Sequence, residues 1–206
     1  MRGRPVDGTL IKDNSLDFLT ESDSEWLQDL GVLLGKPEEP TGFSFYARWI
    51  PEKSDHGQIY ANLGYQFTDS FRAALDWRPL TGDVTPLINW RVFPENDTWR
   101  PALIVGMSND DFGDINSDSY YATLSKYVGS IGETNFSLYG GGTYIVELGE
   151  LRPVGGIHVS NGPWSGLLMY SGADPHFSVS RKLGNHTVTF LMFDLELPGL
   201  AYGFAF

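Results

Sequence analysis

Phe71-Arg72-Ala73-Ala74-Leu75-Asp76-Trp77-Arg78 sets Phe, Ala, Leu and Trp on one face of an extended chain and Arg, Ala, Asp and Arg on the other. Successive side chains of a strand point to opposite faces, so this octamer reads as a ribbon with one greasy side and one charged side. The stretch before it behaves alike, with Ile59, Ala61, Leu63, Tyr65 and Phe67 alternating with Tyr60, Asn62, Gly64 and Gln66. Thr68-Asp69-Ser70 between the two is a turn signal, as is Thr81-Gly82-Asp83 further on. Upstream, Phe43, Phe45, Ala47 and Trp49 alternate with Ser44, Tyr46 and Arg48; downstream, Ile88, Trp90 and Val92 alternate with Asn89 and Arg91.

A β-sandwich and a transmembrane barrel both show this alternation, but they aim it differently. A sandwich turns its apolar face inward and its charges to water, whereas an outer-membrane barrel turns Phe, Trp and Leu outward and encloses Arg, Asp and Asn. Two features favour the barrel. Trp49, Trp77, Trp90, Trp99 and Trp164 fall at strand ends, as in an interfacial girdle. The chain also ends on Leu200-Ala201-Tyr202-Gly203-Phe204-Ala205-Phe206, which carries Leu200, Tyr202, Phe204 and Phe206 on one face and Gly199, Ala201, Gly203 and Ala205 on the other.

Further strands are expected near Pro101–Met107, Tyr120–Val128, Phe136–Gly142, Leu151–Ser160, Pro163–Ser171, His176–Leu183, His186–Phe193 and Pro198–Phe206. The total is about twelve at a spacing of roughly 14 residues, which suits membrane strands of about 9 to 11 residues plus turns. An even count brings both ends of the sheet to one side. Within His186–Phe193 the polar Thr187 and Thr189 share a face with Leu191 and Phe193, in competition with Val188, Phe190 and Met192, and a bulge is expected to resolve the conflict.

Composition removes several alternatives. The chain has 206 residues and no Cys, so disulfide scaffolds, Cys-ligated metal sites and thiol catalysis are excluded. A formal charge of -12 argues against nucleic-acid binding. No stretch approaches the roughly 20 apolar residues of a spanning helix. Residues 1–40 form a separate N-terminal segment in which Ser22-Asp23-Ser24-Glu25 reads as a capping box ahead of Trp26, Leu27, Leu30, Leu33 and Leu34. One short amphipathic helix ending near Gly35 is expected there, as a plug or rim element of the barrel at 41–206. Met1–Gly8 is charged without an apolar core behind it, so either the chain is cytosolic or a secretory leader has been removed, and the ladder Leu200–Phe206 favours the second.

Arg100-Pro101-Ala102-Leu103-Ile104-Val105-Gly106-Met107 and Ser119-Tyr120-Tyr121-Ala122-Thr123-Leu124-Ser125-Lys126 resemble paired strand signatures of the YjbH-type outer-membrane proteins associated with capsule and exopolysaccharide loci. Arg152-Pro153-Val154-Gly155-Gly156, Pro163-Trp164-Ser165 and Pro198 to Phe204 are similar too. The likeness covers roughly residues 84–206. It implies an outer-membrane barrel serving surface polysaccharide or lipid traffic, and it supplies no catalytic residues.

Three groups could carry function. Arg48, Asn62, Gln66, Arg72, Asp76, Arg78, Asn89 and Arg91 are expected to line the lumen, where they either select anionic solutes or pair across strands and keep a narrow barrel closed. Closure is the favoured reading. His158-Val159-Ser160-Asn161-Gly162 sets a His and a Ser two apart on one strand face. It resembles the element that outer-membrane phospholipase A and lipid A deacylases present to lipid, which would make His158 and Ser160 base and nucleophile of a lipid esterase. The third polar member those families need has only Ser171 and Asp174 as candidates. Asn109 to Asp118 is acidic but lacks the order and closing Glu of an EF-hand, so it reads as a solvated loop. The expectation is thus a non-enzymatic bacterial outer-membrane barrel without metal or cofactor. Its expected partners are outer-membrane lipid, the barrel assembly machinery and a polysaccharide or small solute. A lipid esterase and a soluble lipid-binding barrel are the alternatives.

Overall fold

A computed structural model describes residues 42–53, 55–96, 99–112 and 115–206. They form one closed antiparallel barrel of twelve strands in which each strand pairs with its neighbours in sequence and the last pairs with the first. The strands are β1 (Gly42–Trp49), β2 (Ile59–Thr68), β3 (Phe71–Arg78), β4 (Asp83–Phe93), β5 (Ala102–Phe112), β6 (Ile115–Ile131), β7 (Thr134–Ile145), β8 (Glu150–Asn161), β9 (Trp164–Tyr170), β10 (Pro175–Leu183), β11 (His186–Phe193) and β12 (Leu197–Ala205). A single helical turn, α1 (Asp55–Gln58), sits between β1 and β2. The segment 1–40, with its expected helix, lies outside the described residues.

Closure is made by backbone. β1 and β12 pair from Ser44↔Ala205 to Trp49↔Leu200, and Phe43 and Phe206 exchange N–H···O bonds of 2.9 Å in both directions. The expected C-terminal ladder is therefore the closing strand. Gly42 and Phe206 share one end of the barrel with four two-residue turns, 69–70, 132–133, 162–163 and 184–185, and one longer connection, 94–101.

The two faces separate as the alternation predicts. Outward positions carry Phe45, Trp49, Leu63, Leu75, Trp77, Trp90, Leu124, Leu138, Ile157, Leu168, Phe190 and Leu200, all well exposed. Among the described outward strand positions, charged side chains sit near the ends: Asp118 at one, Lys126 and Arg181 at the other. Trp49, Trp77, Tyr144 and Tyr170 ring the end away from Gly42; Trp90, Trp164 and Phe206 ring the end that carries it. Inside, buried polar and charged side chains outnumber buried apolar ones among the described residues. This inverts the distribution of a water-soluble domain.

Two expectations are corrected. β11 carries no bulge: its registers with β10 and β12 run unbroken, with Val188 and Phe190 outward and Thr187 and Thr189 buried. On the inner face the Thr189 hydroxyl finds a partner, its Oγ1 lying 2.9 Å from Ser180 Oγ. Residues 109–118 are not a loop for most of their length. β5 and β6 continue pairing through Asn109↔Asp118 to Phe112↔Ile115, so a two-stranded hairpin carries the acidic residues outward from the wall.

The β11–β12 turn is unusual. Asp194 and Leu195 have φ of 56° and 57°, and Glu196 N donates to Phe193 O at 3.0 Å. Two successive left-handed residues closed by that bond make a type I′ turn, which normally calls for Asn-Gly. Leu195 is exposed, so little packing offsets its backbone strain. Leu195→Gly is expected to raise stability by about 1 kcal/mol, read as a higher urea-unfolding midpoint at unchanged slope.

Candidate functional site in the barrel lumen

The inner face of β1 to β3 builds a connected polar layer. Arg72 Nη2 donates to Ser44 Oγ at 2.7 Å and to Asn62 Oδ1 at 3.3 Å, and Asn62 Nδ2 donates to Asp76 Oδ1. The Tyr60 ring borders the layer, beneath the guanidinium groups of Arg48 and Arg78. Strand geometry explains the chain: Asn62 and Asp76 are direct cross-strand partners, as are Gln66 and Arg72, so period two stacks the layer's members on one face. Arg72 is 5% exposed and Asp76 2%, and Asn62 bridges the two charges by accepting from one and donating to the other.

Cations above this layer rest on aromatic rings. The Arg48 guanidinium lies 5.1 Å from the centroid of Tyr60 and 5.8 Å from that of Phe193, while Arg78 lies 5.9 Å from Tyr60. Lys53 Nζ sits 3.5 Å over Phe193. On β4, Asn89 Oδ1 accepts the Tyr121 hydroxyl, and Gln66 Nε2 bonds the carbonyls of Thr68 and Phe71 in the turn below. Arg48, Asn62, Gln66, Arg72, Asp76, Arg78 and Asn89 are all inward and buried. Arg91 stands apart at the rim, where Nη2 donates to Asp69 O at 2.6 Å, so it anchors a turn instead of lining the middle of the lumen.

His158 and Ser160 share the inner face of β8, and both are buried. They face Ser137 and Asn135 on β7, and Leu167 and Ser165 on β9. The likeness to lipid-facing esterase pairs required the outer face, and here that face of β8 carries Ile157 instead. The alternation of Ile157, His158, Val159 and Ser160 already assigned His and Ser to the polar side. Ser171 Oγ is engaged in its own turn, accepting the N–H groups of Ala173 and Asp174. It caps the β9–β10 connection.

One cluster escaped the sequence reading because it joins segments far apart in the chain. At the rim away from Gly42, buried His176 accepts the Asp194 N–H at Nδ1, 3.1 Å away, so the neutral ring carries its proton on Nε2. Asp194 Oδ1 lies 3.5 Å from the same nitrogen. Partial burial, with Asp174 and Glu196 nearby, pushes the Asp194 carboxyl up to about 6 against the pull of Lys53.

Large inner side chains need room, and glycines supply it. A Cβ on Gly64 would stand 2.3 Å from Arg72 Nη2, and one on Gly156 would stand 2.8 Å from the Tyr139 hydroxyl. The glycines on the polar side of these ribbons are therefore seats for the neighbouring strand's long side chains.

No protein-family model matches the chain, and no curated protein or solved structure does either.

Gly64→Val is expected to dislodge Arg72 from Asn62 and Ser44 and cost about 2–4 kcal/mol, seen as a lower urea midpoint. Asp194 gives a pH signature. Its carboxyl is raised in the folded state, so the native protein binds the proton more tightly. The resulting penalty is absent below the unfolded value near 4 and complete above about 6. Asp194→Asn is expected to be more stable than the parent at pH 7. The part of that gain due to the charge should vanish by pH 4, in paired unfolding titrations; a pH-independent gain would assign the effect to the left-handed backbone alone.

Proposed function

We propose that this chain is a bacterial outer-membrane β-barrel whose resting lumen is filled, with a structural or transport role at the cell surface. The observation that carries the proposal is the inverted wall: an apolar outer band between two rings of Trp, Tyr and Phe, around an interior of Arg, Asp, Asn, Ser and Thr. An apolar exterior of this extent is costly in water and favourable in hydrocarbon, and a closed barrel leaves no unpaired sheet edge to desolvate. The two-residue turns at the end bearing Gly42 and Phe206 match the short turns of the periplasmic side of such barrels.

The resemblance to YjbH-type proteins adds surface polysaccharide or lipid as the class of cargo. The filled lumen favours a scaffold or a regulated path over an open porin, because inward side chains around the ring, among them Arg72, Asp76, Thr123, Thr143, His158 and Thr189, are almost wholly buried. A soluble lipid-binding barrel requires the reverse arrangement, a greasy cavity and a polar exterior. The inward placement of His158 and Ser160 weighs against a lipid-facing esterase.

The purified chain is expected to need detergent, to migrate faster on a gel unboiled than boiled, and to resist protease in phosphatidylcholine vesicles. In planar bilayers the parent should give no stepwise current, and Arg72→Ala should give intermittent steps. A monodisperse protein in plain buffer with one gel position would overturn the proposal.

A further inference from the structure

The wall has a seam between β4 and β5. Their pairing runs from Phe93↔Leu103 to Ile88↔Met107 and stops, although β4 continues to Asp83 and β5 to Phe112. On its other edge β4 stays paired with β3 all the way to Arg78↔Asp83. The cause is legible in the backbone. Arg91 N donates to Ser70 O on the β3 side, so the period of two points the amide of position 86 at β5. Position 86 is proline and has no N–H to give. Extending the register would set Pro86 opposite Asn109, whose carbonyl thereby loses its ladder donor.

Arg78 takes that carbonyl. From the inner face of β3, Nη2 donates to Asn109 O at 2.6 Å and Nη1 to Asn109 Oδ1 at 3.1 Å. Both acceptors are neutral, so the fork itself holds no carboxylate. The register places Leu75 beside Pro86 and Trp77 beside Val84, so the seam begins one row inside the aromatic ring, within the apolar band. Leu75 and Val84 are 55% and 60% exposed on its outer lip.

We infer that the β4–β5 seam is a lateral opening between the lumen and the surrounding hydrocarbon, and that it takes an amphiphile with an anionic phosphate head. The inference rests on the membrane reading above and specifies the ligand class for it. Open sheet edges are not tolerated in lipid unless their polar groups are satisfied, and here Arg78 supplies the donor that the Asn109 carbonyl lacks. A guanidinium binds two phosphate oxygens in a fork more strongly than two neutral amide oxygens. An arriving head group displaces Asn109, Arg78 turns to it, and the acyl chains stay against Leu75 and Val84. Arg48, on the same Tyr60 ring as Arg78, is the next cation inward. The carboxylates nearby are hydrogen-bonded to other groups, Asp76 to Asn62 and Asp83, opposite Arg78 in the register, to the Thr81 hydroxyl, so neither occupies the fork that holds Asn109.

The test uses the full chain in phosphatidylcholine vesicles doped with phosphatidylglycerol carrying a diazirine on its acyl chain, and with the same diazirine on phosphatidylcholine as comparison. After irradiation, labelled residues are located by mass spectrometry, and insertion is verified in the same sample by heat-modifiable migration. The expected result is enrichment of the anionic probe over the zwitterionic one at Leu75 and Val84, the outer lip against which its acyl chains lie. That enrichment should fall by about fivefold or more in Arg78→Gln, the scale of one lost charge-assisted contact. It should fall likewise in Pro86→Val, which keeps the charge but restores the ladder donor. Equal labelling by both probes, or labelling unmoved by the two variants, in an inserted barrel overturns the opening and leaves the membrane reading standing. A chain that never inserts overturns both.

Discussion

Backbone pairing around the full circle is the constraint from which the remaining features follow. A twelve-strand sheet left open would carry two rows of unsatisfied N–H and C=O groups; the reciprocal bonds between Phe43 and Phe206 and the ladder from Ser44 to Trp49 remove them. Once the ring is shut, every strand has one face toward a narrow interior and one toward the surroundings. Buried charges on the inner face then draw partners from neighbouring strands, as Arg72, Asn62 and Asp76 do in one connected layer.

That layer has consequences for chemistry. Buried ion and hydrogen-bond networks hold a shape well only when every member is paired, since one missing partner leaves a desolvated charge behind. Gly64 shows how far the sequence accommodates this: it forgoes a side chain on a strand, at some cost in strand propensity, so that Arg72 can reach across. A lumen built in this manner resists passage of bulk solute. Any transport role must therefore either rearrange the layer or avoid the central axis.

Strand number, antiparallel order and the facing of nearly every strand were legible from the chain because period two is a local signal, and because the long β-hairpin meander pairs neighbours in sequence. Thr187 and Thr189 exposed the limit of that method. Both faces of β11 were plausible until cross-strand partners such as Ser180 were known, and no bulge was needed. The acidic run at 109–118 misled in the opposite direction, since polarity suggested a loop where backbone pairing continues. Of the lumen residues, those on β1 to β4 could be named from alternation, with Arg91 displaced to the rim because its position along the strand is not encoded by parity. His176 and Asp194 could not be paired from sequence, being joined only by the turn that brings Phe193 to Glu196 back over β10.

The same parity argument shows why Pro86 matters more than its neighbours. A proline at an odd position of β4 would have broken the ladder to β3. At position 86 it breaks the ladder to β5, on the side where the long β5–β6 hairpin already rises beyond the wall. The weakness in the ring is thus placed next to the element that projects furthest from it, and Arg78 is the side chain that reaches the orphaned carbonyl. A filled axis and a locally released seam are complementary: the first blocks movement through the barrel from end to end, and the second leaves one stretch of wall where the polar interior and the apolar exterior are separated by a side-chain contact that can exchange, instead of by a continuous run of backbone hydrogen bonds.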